Sequence, residues 1–307
     1  MENHHIDDSL YVVVPYFNFK SSKYSQRNLR KLINEFSSYC NTKLIVVEGI
    51  TSKADELGEL PANVYDHIKV YYEDVLWIKE NLINIALKKC NKWKYAAWID
   101  RDIKFADINW ALKVIDELRS CDILQPYSKC EYLDREGVHS SAESGYFNKP
   151  GTKDSGMISF CCGALGKGPK NGAAMHPGHA WAISRAFYNK VDKLFELAVV
   201  GGADCVIVEA IRQNKNHHIY KHYGQPFFTF CDKFKECKIG YVDGTIQHRY
   251  HGDLKQRNYG LRMEIFTKRG FNVSTELQIV EDKVCLSKTG KLYKHLIDDY
   301  FTLKEKN

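Results

Sequence analysis

Apolar positions in the first third of the chain switch between strand and helix spacing in a regular order. Leu10 to Val14 is an uninterrupted, largely β-branched run, the pattern of a strand covered on both faces, and it stops at Pro15, Tyr16, Phe17 and Asn18. Leu29, Leu32, Ile33 and Phe36 fall at i, i+3, i+4 and i+7, which predicts a helix with one apolar face. Lys43 to Val47 reads as a second strand ending at Glu48, and Ile68 to Tyr72 as a weaker third. Ile78, Leu82, Ile85 and Ala86 mark a helix that leads into the apolar strand Tyr95 to Phe105. The order β-α-β-β-α-β predicts an α/β sheet whose ligands lie beyond the C-terminal ends of its strands.

The pattern continues with a helix at Ala111, Val114, Ile115 and Leu118 and a strand from Asp122 to Pro126. Residues 128 to 180 are rich in Gly, Ser, Lys and Asn and read as one long functional loop, a lid or an acceptor loop. Gly163, Gly166 and Gly168 within it meet neither phosphate-loop spacing. His176 to Ile183 then leads into a helix with Phe187, Val191, Leu194, Phe195 and Ala198 on one face. Asp204 precedes the apolar run Cys205 to Ile211, where its plain structural role is a helix N-cap. Pro226 opens a helix carrying Phe227, Phe230 and Phe234, and a strand from Tyr241 to Ile246 ends at His248, Arg249, Tyr250 and His251.

Composition narrows the class without naming it. The 307 residues are 44% hydrophobic and 27% charged, ordinary values for a folded chain of one large domain or two small ones. The 44 Lys and Arg against 38 Asp and Glu leave a net charge of +6 spread along the chain, which favours anionic substrates. No basic run with interleaved aromatics and no nucleic-acid module signature occurs, so no nucleic-acid partner is expected. None of the ten cysteines forms a Cys-x-x-Cys pair, which argues against a zinc ribbon. Without a signal-peptide pattern or an apolar run of membrane-spanning length, the expected location is the cytoplasm, with reduced thiols.

The strand Tyr95 to Phe105 runs into two carboxylates, Asp100 and Asp102. In an extended segment, side chains two apart share a face, so the pair can converge on a hard cation or on a phosphate held by it. Asp-x-Asp is also common in exposed turns; here the apolar context favours the metal reading. His248 and His251 are candidates to complete the shell of the same ion, Mn²⁺ or Mg²⁺. A straight strand would send them to opposite faces, so a local bend is required. Lys79, Arg257 and Arg262 are candidate phosphate contacts, Asp204 a candidate base, and Trp181 a candidate sugar-stacking ring or a core aromatic.

Together these segments resemble the metal-dependent nucleotide-sugar glycosyltransferases of the GT-A fold. They look especially similar to family-2-type enzymes of large DNA viruses and phages, and more remotely to metazoan galactosyltransferases. A viral origin would make the location the host cytoplasm. The resemblance runs from Pro15 to Lys304. It implies a GT-A-type mixed, mostly parallel sheet flanked by helices within a single catalytic domain, residues 1–307. Residues 10–127 would form the nucleotide-sugar half, 128–270 the acceptor and catalytic half, and 271–307 a C-terminal extension. Donor contacts would come from Pro15, Tyr16, Asn18, Glu48, Lys79, Asn84 and Asp100. Asp102, His248 and His251 would bind the metal. Gly201 and Gly202, with Trp181, would meet the acceptor, and Asp204 would be the catalytic base. Ala203 and His248 depart from the family pattern, which has Glu and Met at those places.

The resemblance thus implies transfer of a sugar, from a UDP-sugar by preference, to a glycan or other hydroxyl acceptor with inversion. Two alternatives stand beside it: a sugar nucleotidyltransferase, against which the loop Tyr16 to Lys20 lacks glycine, and a non-catalytic glycan or nucleotide-sugar binding module.

Overall fold

The computed structural model describes residues 7–19, 22–145, 175–251, 264–265 and 267–305. Its first six elements are β1 (Asp7–Phe17), α1 (Lys23–Phe36), β2 (Thr42–Ile50), β3 (Val64–Tyr71), α2 (Lys79–Lys89) and β4 (Trp93–Ile99), in the order the apolar spacing predicts. β1 pairs in parallel with β2 and with β4, and β2 pairs in parallel with β3. The chain therefore builds outward from β1 in one direction and returns to its other side with β4. That reversal is a topological switch point, and the crevice between the C-terminal ends of β1 and β4 is where such sheets bind ligands.

Side-chain alternation along β1 explains its unbroken apolar run. Tyr11 and Val13 face one buried layer while Leu10, Val12 and Val14 face the other. Helix α2 covers the first layer through Leu82, Ile83 and Ala86, and α1 covers the second through Leu29, Leu32 and Ile33. Pro15 sits beyond the last β1–β4 pair, Val13 with Trp98, where a missing N–H no longer interrupts that ladder.

Later elements depart from the expected pattern. The segment Tyr95 to Phe105 is not one strand: β4 ends at Ile99, the chain turns, and β5 (Ile103–Phe105) belongs to a second sheet. After α3 (Trp110–Glu117) and β6 (Ile123–Gln125), the expected long loop contains β7 (Lys129–Leu133), β8 (His139–Gly145) and β9 (Met175–His176). The Gly163 to Gly168 stretch lies outside the described residues. Ala180–Ser184 forms β10, antiparallel between β4 and β6, where a helix approach was expected. The following helix α4 (Arg185–Val191) stops well short of Ala198. Helices α5 (Ala203–Arg212) and α6 (Gln225–Lys233) come next. The single strand expected near Tyr241 is two: β11 (Ile239–Tyr241) pairs with β6, and β12 (Thr245–His248) pairs with β5 and β7.

The first sheet thus runs β11-β6-β10-β4-β1-β2-β3 and the second β5-β12-β7-β8-β9. This is the expected mixed, mostly parallel sheet flanked by helices. Residues beyond 271 form the hairpin β13 (Leu277–Val280) and β14 (Lys283–Leu286) and the helix Lys294–Glu305, and Ile297, Tyr300 and Phe301 enter the apolar layer that α2 covers. Among the described residues no helix is long and apolar enough to cross a membrane.

Asn84 is the first expected donor contact that the fold reassigns. Its amide donates to the Leu194 carbonyl (3.1 Å) and to Glu196 (3.0 Å). Its oxygen accepts from the Leu194 N–H (2.9 Å) and the Tyr188 hydroxyl (3.2 Å). All four bonds that an amide side chain can make are taken by the protein, so Asn84 fastens the irregular segment after α4 and leaves nothing for a nucleotide. Asn84→Leu should cost roughly 2–4 kcal/mol, because it strands several buried polar groups at once. Urea unfolding measures this. A variant of unchanged stability that loses nucleotide affinity would restore the donor role.

Candidate active site

The turn between β4 and β5 divides the two carboxylates of Asp-x-Asp. The Asp100 N–H donates to the His179 carbonyl (2.8 Å) and the Ile103 N–H to the Asp100 carbonyl (3.2 Å), which closes the turn over Arg101 and Asp102. The two side chains therefore do not share a face, because the segment is not extended. Asp100 meets Lys79, and Asp102 meets the histidines.

Strand pairing brings the histidines in. β12 runs antiparallel to β5 with His248 opposite Ile103, next to Asp102, and the Arg249 N–H donates to the Asp102 carbonyl (2.8 Å). His248 Nε2 lies 3.6 Å from Asp102 Oδ1, and His251 Nε2 lies 3.5 Å from Oδ2. The ligand atoms of all three residues lie within 4.8 Å of one another. The required bend occurs where β12 ends at His248. It is held by the two intervening residues, which are anchored outward. Arg249 pairs with Glu35 and donates to the Ile103 carbonyl, while the Tyr250 carbonyl accepts from Asn28 and its hydroxyl from Arg135 (2.9 Å).

One carboxylate and two imidazoles, mostly buried and facing one point, fit a divalent cation. Neutral imidazole suits transition-metal ions such as Zn²⁺ and Fe²⁺ best, a carboxylate also suits the harder Mn²⁺, and Mg²⁺ prefers oxygen alone. Around them lie groups that the pattern of the sequence did not single out. Buried His179, held at φ 76°, has Tyr132 Oη 3.0 Å from its Nε2, and its ring centroid lies 4.9 Å from that of His248. His176 stacks on His179 at 4.1 Å. The sequence His176-Pro-Gly-His179 carried a signal in its histidine spacing; Tyr132 carried none.

On the other side of the turn, Lys79 Nζ lies 2.8 Å from Asp100 and 3.2 Å from Asp204. Its side chain is 6% exposed, while those of Asp100 and Asp204 are 33% and 21% exposed, so the ammonium sits behind two carboxylates that reach the surface. Burial pulls its proton affinity down, yet Asp100, Asp204 and Glu80 together raise it above the ordinary lysine value. The expected phosphate contact is therefore an internal ion pair. Beside it, buried Glu80 is pushed up to about 8, chiefly by loss of solvent and further by Asp204, with Lys79 opposing.

Asp204 is not an N-cap. That position is Gly202, and Asp204 is the second residue of α5. Gly201 and Gly202 have φ of 88° and 98°, left-handed values that a side chain would strain, and this turn aims the start of α5 at Lys79. A Cβ on Gly178 would meet the His176 ring at 2.8 Å and the Asp204 carboxylate at 3.5 Å, so both border the same small gap.

The remaining expected residues divide. Pro15 and Tyr16 are buried at the end of β1, with the Tyr16 hydroxyl pushed up by burial, and Asn18 closes the next loop on Ser22 through bonds of 2.9 and 3.2 Å. Glu48 is completely buried, accepting from the Leu57 N–H and facing His67 Nε2 at 2.8 Å, so it ties the end of β2 to Leu57 and His67 and exposes no oxygen to a ligand. Trp181 is also completely buried in β10, its indole N–H donating to the Pro177 carbonyl (2.8 Å). No ring face is left for a sugar, and of its two expected roles the core one holds. Arg257 and Arg262 lie outside the described residues.

No protein-family model matches the sequence, and no curated protein matches it. Among solved structures, the chain is similar to the catalytic domain of Drosophila β1,4-galactosyltransferase 7 in complex with xylobiose, at 8% identity, over 92% of this chain and 96% of that one, with a TM-score of 0.41. A mutant of the same enzyme with one aspartate replaced by asparagine, in complex with manganese, UDP-Gal and xylobiose, gives 8% identity, 92% and 97% coverage and a TM-score of 0.42. Residues 1–349 of TarS from S. aureus, with UDP-GlcNAc, give 13% identity, 83% and 66% coverage and a TM-score of 0.44.

Asp102→Ala should lower Mn²⁺ affinity by at least the roughly 100-fold that loss of even an outer partner of a metal ligand can cost. Titration calorimetry without nucleotide reads this directly. Binding should also weaken as pH falls, since protons compete for both imidazoles. Undiminished affinity in Asp102→Ala would place the ion elsewhere.

Proposed function

We propose that the chain is a divalent-metal-dependent glycosyltransferase that moves a sugar from a nucleoside-diphosphate donor, a UDP-sugar by preference, to an acceptor hydroxyl with inversion. The observation that supports this reading is the placement of two chemistries on either side of one turn, at the switch point of the sheet. Asp102, His248 and His251 form a candidate cation site on one side, and Asp204 with Asp100 presents partly exposed carboxylates on the other.

Asp102, His248 and His251 would hold the cation, and two imidazole donors fit a transition-metal ion better than Mg²⁺, which demands oxygen ligands. When bound it would neutralise charge developing on the departing diphosphate. Asp204 takes the proton of the acceptor hydroxyl as that oxygen bonds to the anomeric carbon. The bond from that carbon to the β-phosphate oxygen breaks, and its electron pair leaves with the diphosphate. Asp100 borders the donor sugar or ribose, with Lys79 behind it. Pro15, Tyr16 and Asn18 lie at the nucleotide end of the crevice, and Gly201 and Gly202 on the acceptor side.

A panel of nucleotide sugars, scored for Mn²⁺-dependent release of nucleoside diphosphate and for transfer to an identified acceptor, tests the class. One donor should turn over well above background, and none doing so would remove the reading. With that donor, Asp204→Asn should keep its melting temperature and donor affinity but lose transfer by roughly 10²–10⁴-fold, the usual contribution of a positioned base. Full transfer by Asp204→Asn would favour a retaining course.

A further inference from the structure

Lys79 is a buried cation behind the carboxylates of the site. It stands at the first position of α2 and reaches Asp100 and Asp204, residues 21 and 125 positions further along the chain. Among the described residues, groups that face Asp204 include Lys79 and Glu80 from α2, Asp100 from the turn after β4, and His176 across the gap at Gly178. Lys79 alone among them carries a permanent positive charge near neutrality, and burial leaves it little solvent to screen that charge. An acid beside two other carboxyl groups binds its proton more tightly, and a cation in contact has the opposite effect. With its Nζ 2.8 Å from Asp100 and 3.2 Å from Asp204, two partly exposed carboxylates, Lys79 opposes their mutual repulsion.

We propose that Lys79 is a positioning residue that holds Asp204 in its ionised, proton-accepting form, and that it shares its charge between Asp204 and Asp100. Asp100 thereby competes with Asp204 for one ammonium. The inference rests on Asp204 being the base, and it assigns to Lys79 the control of that base in place of contact with phosphate. Sign follows from the geometry. Without Lys79, Asp204 holds its proton to higher pH, and the acid limb of transfer moves up. Without the charge of Asp100, Lys79 is given wholly to Asp204 and one repelling group is gone, so Asp204 loses its proton at lower pH.

Carboxyl carbon NMR of protein labelled at aspartate, with the Asp204 signal assigned by Asp204→Asn, reads the titration without any substrate. Lys79→Met should raise the Asp204 midpoint by roughly one to three pH units, the span that a neighbouring cation commonly commands. Lys79→Arg should return it most of the way. Asp100→Asn should move it in the opposite direction, and this variant keeps the buried ammonium, so it remains informative if Lys79→Met fails to fold. A midpoint that moves by less than about half a unit in the folded variants, or in the same direction in Lys79→Met and Asp100→Asn, overturns the proposal. With an active donor, the acid limb of transfer should follow the Asp204 midpoint in each variant, with Mn²⁺ affinity unchanged in Lys79→Met. Transfer by the wild type with an unmoved midpoint would overturn the role of Lys79 alone. A midpoint that moves as expected, in a protein that turns over no donor, would support the ion-pair control and overturn the glycosyltransferase reading.

Discussion

The ladder between β5 and β12 is the constraint on which the rest of the site depends. It sets His248 opposite Ile103, beside Asp102, and it does so only because the chain leaves the first sheet at Ile99 and enters the second at Ile103. Had the strand run straight on, Asp100 and Asp102 would share a face, and the carboxylate beside Lys79 would crowd the one beside the histidines. The turn separates them into a nitrogen and oxygen cluster suited to a cation and a carboxylate pair backed by an ammonium.

Both halves are held from outside by elements that take no direct part. Helix α1 anchors Arg249 through Glu35 and Tyr250 through Asn28, which fixes the chain between His248, the last residue of β12, and His251. Tyr132 and His179 stand behind His248, and the His179 carbonyl also holds the Asp100 N–H. One residue, in a left-handed conformation that costs free energy, thus touches both sides of the turn. On the other side, Asn84 and Glu196 pin the segment after α4, and the Trp77 N–H donates to the Val199 carbonyl close to the glycine turn that aims Asp204. The geometry of the site is therefore a property of both sheets and of the helices on both faces.

Lys79 illustrates how burial changes the meaning of a charge. On an exposed helix it would be a solvated cation of small consequence, or a phosphate contact. Here its desolvation has to be offset, and Asp100 and Asp204 do so from segments far away in the chain. For Glu80, its neighbour, the loss of solvent outweighs the attraction of Lys79, and its carboxyl is pushed up to about 8.

The first half of the fold was legible in the sequence because its signal is local. Apolar spacing reports which faces of a helix or strand are buried, and six successive elements appear in the expected order. Asp102, His248 and His251 were also legible, since residue types that bind cations are few and the structure brings these three together. Periodicity does not say which strand pairs with which. Strand β10, the split of Tyr95 to Phe105 between two sheets, and the bend after His248 were therefore decided only by the tertiary structure. The same holds for side chains whose partners are remote. Asn84, Glu48 and Trp181 carry the polar or aromatic groups of binding residues, but Leu194, Leu57 and Pro177 take up their hydrogen bonds. A sequence states what a side chain can bind; the packing of segments distant in the chain determines whether the protein itself has already bound it.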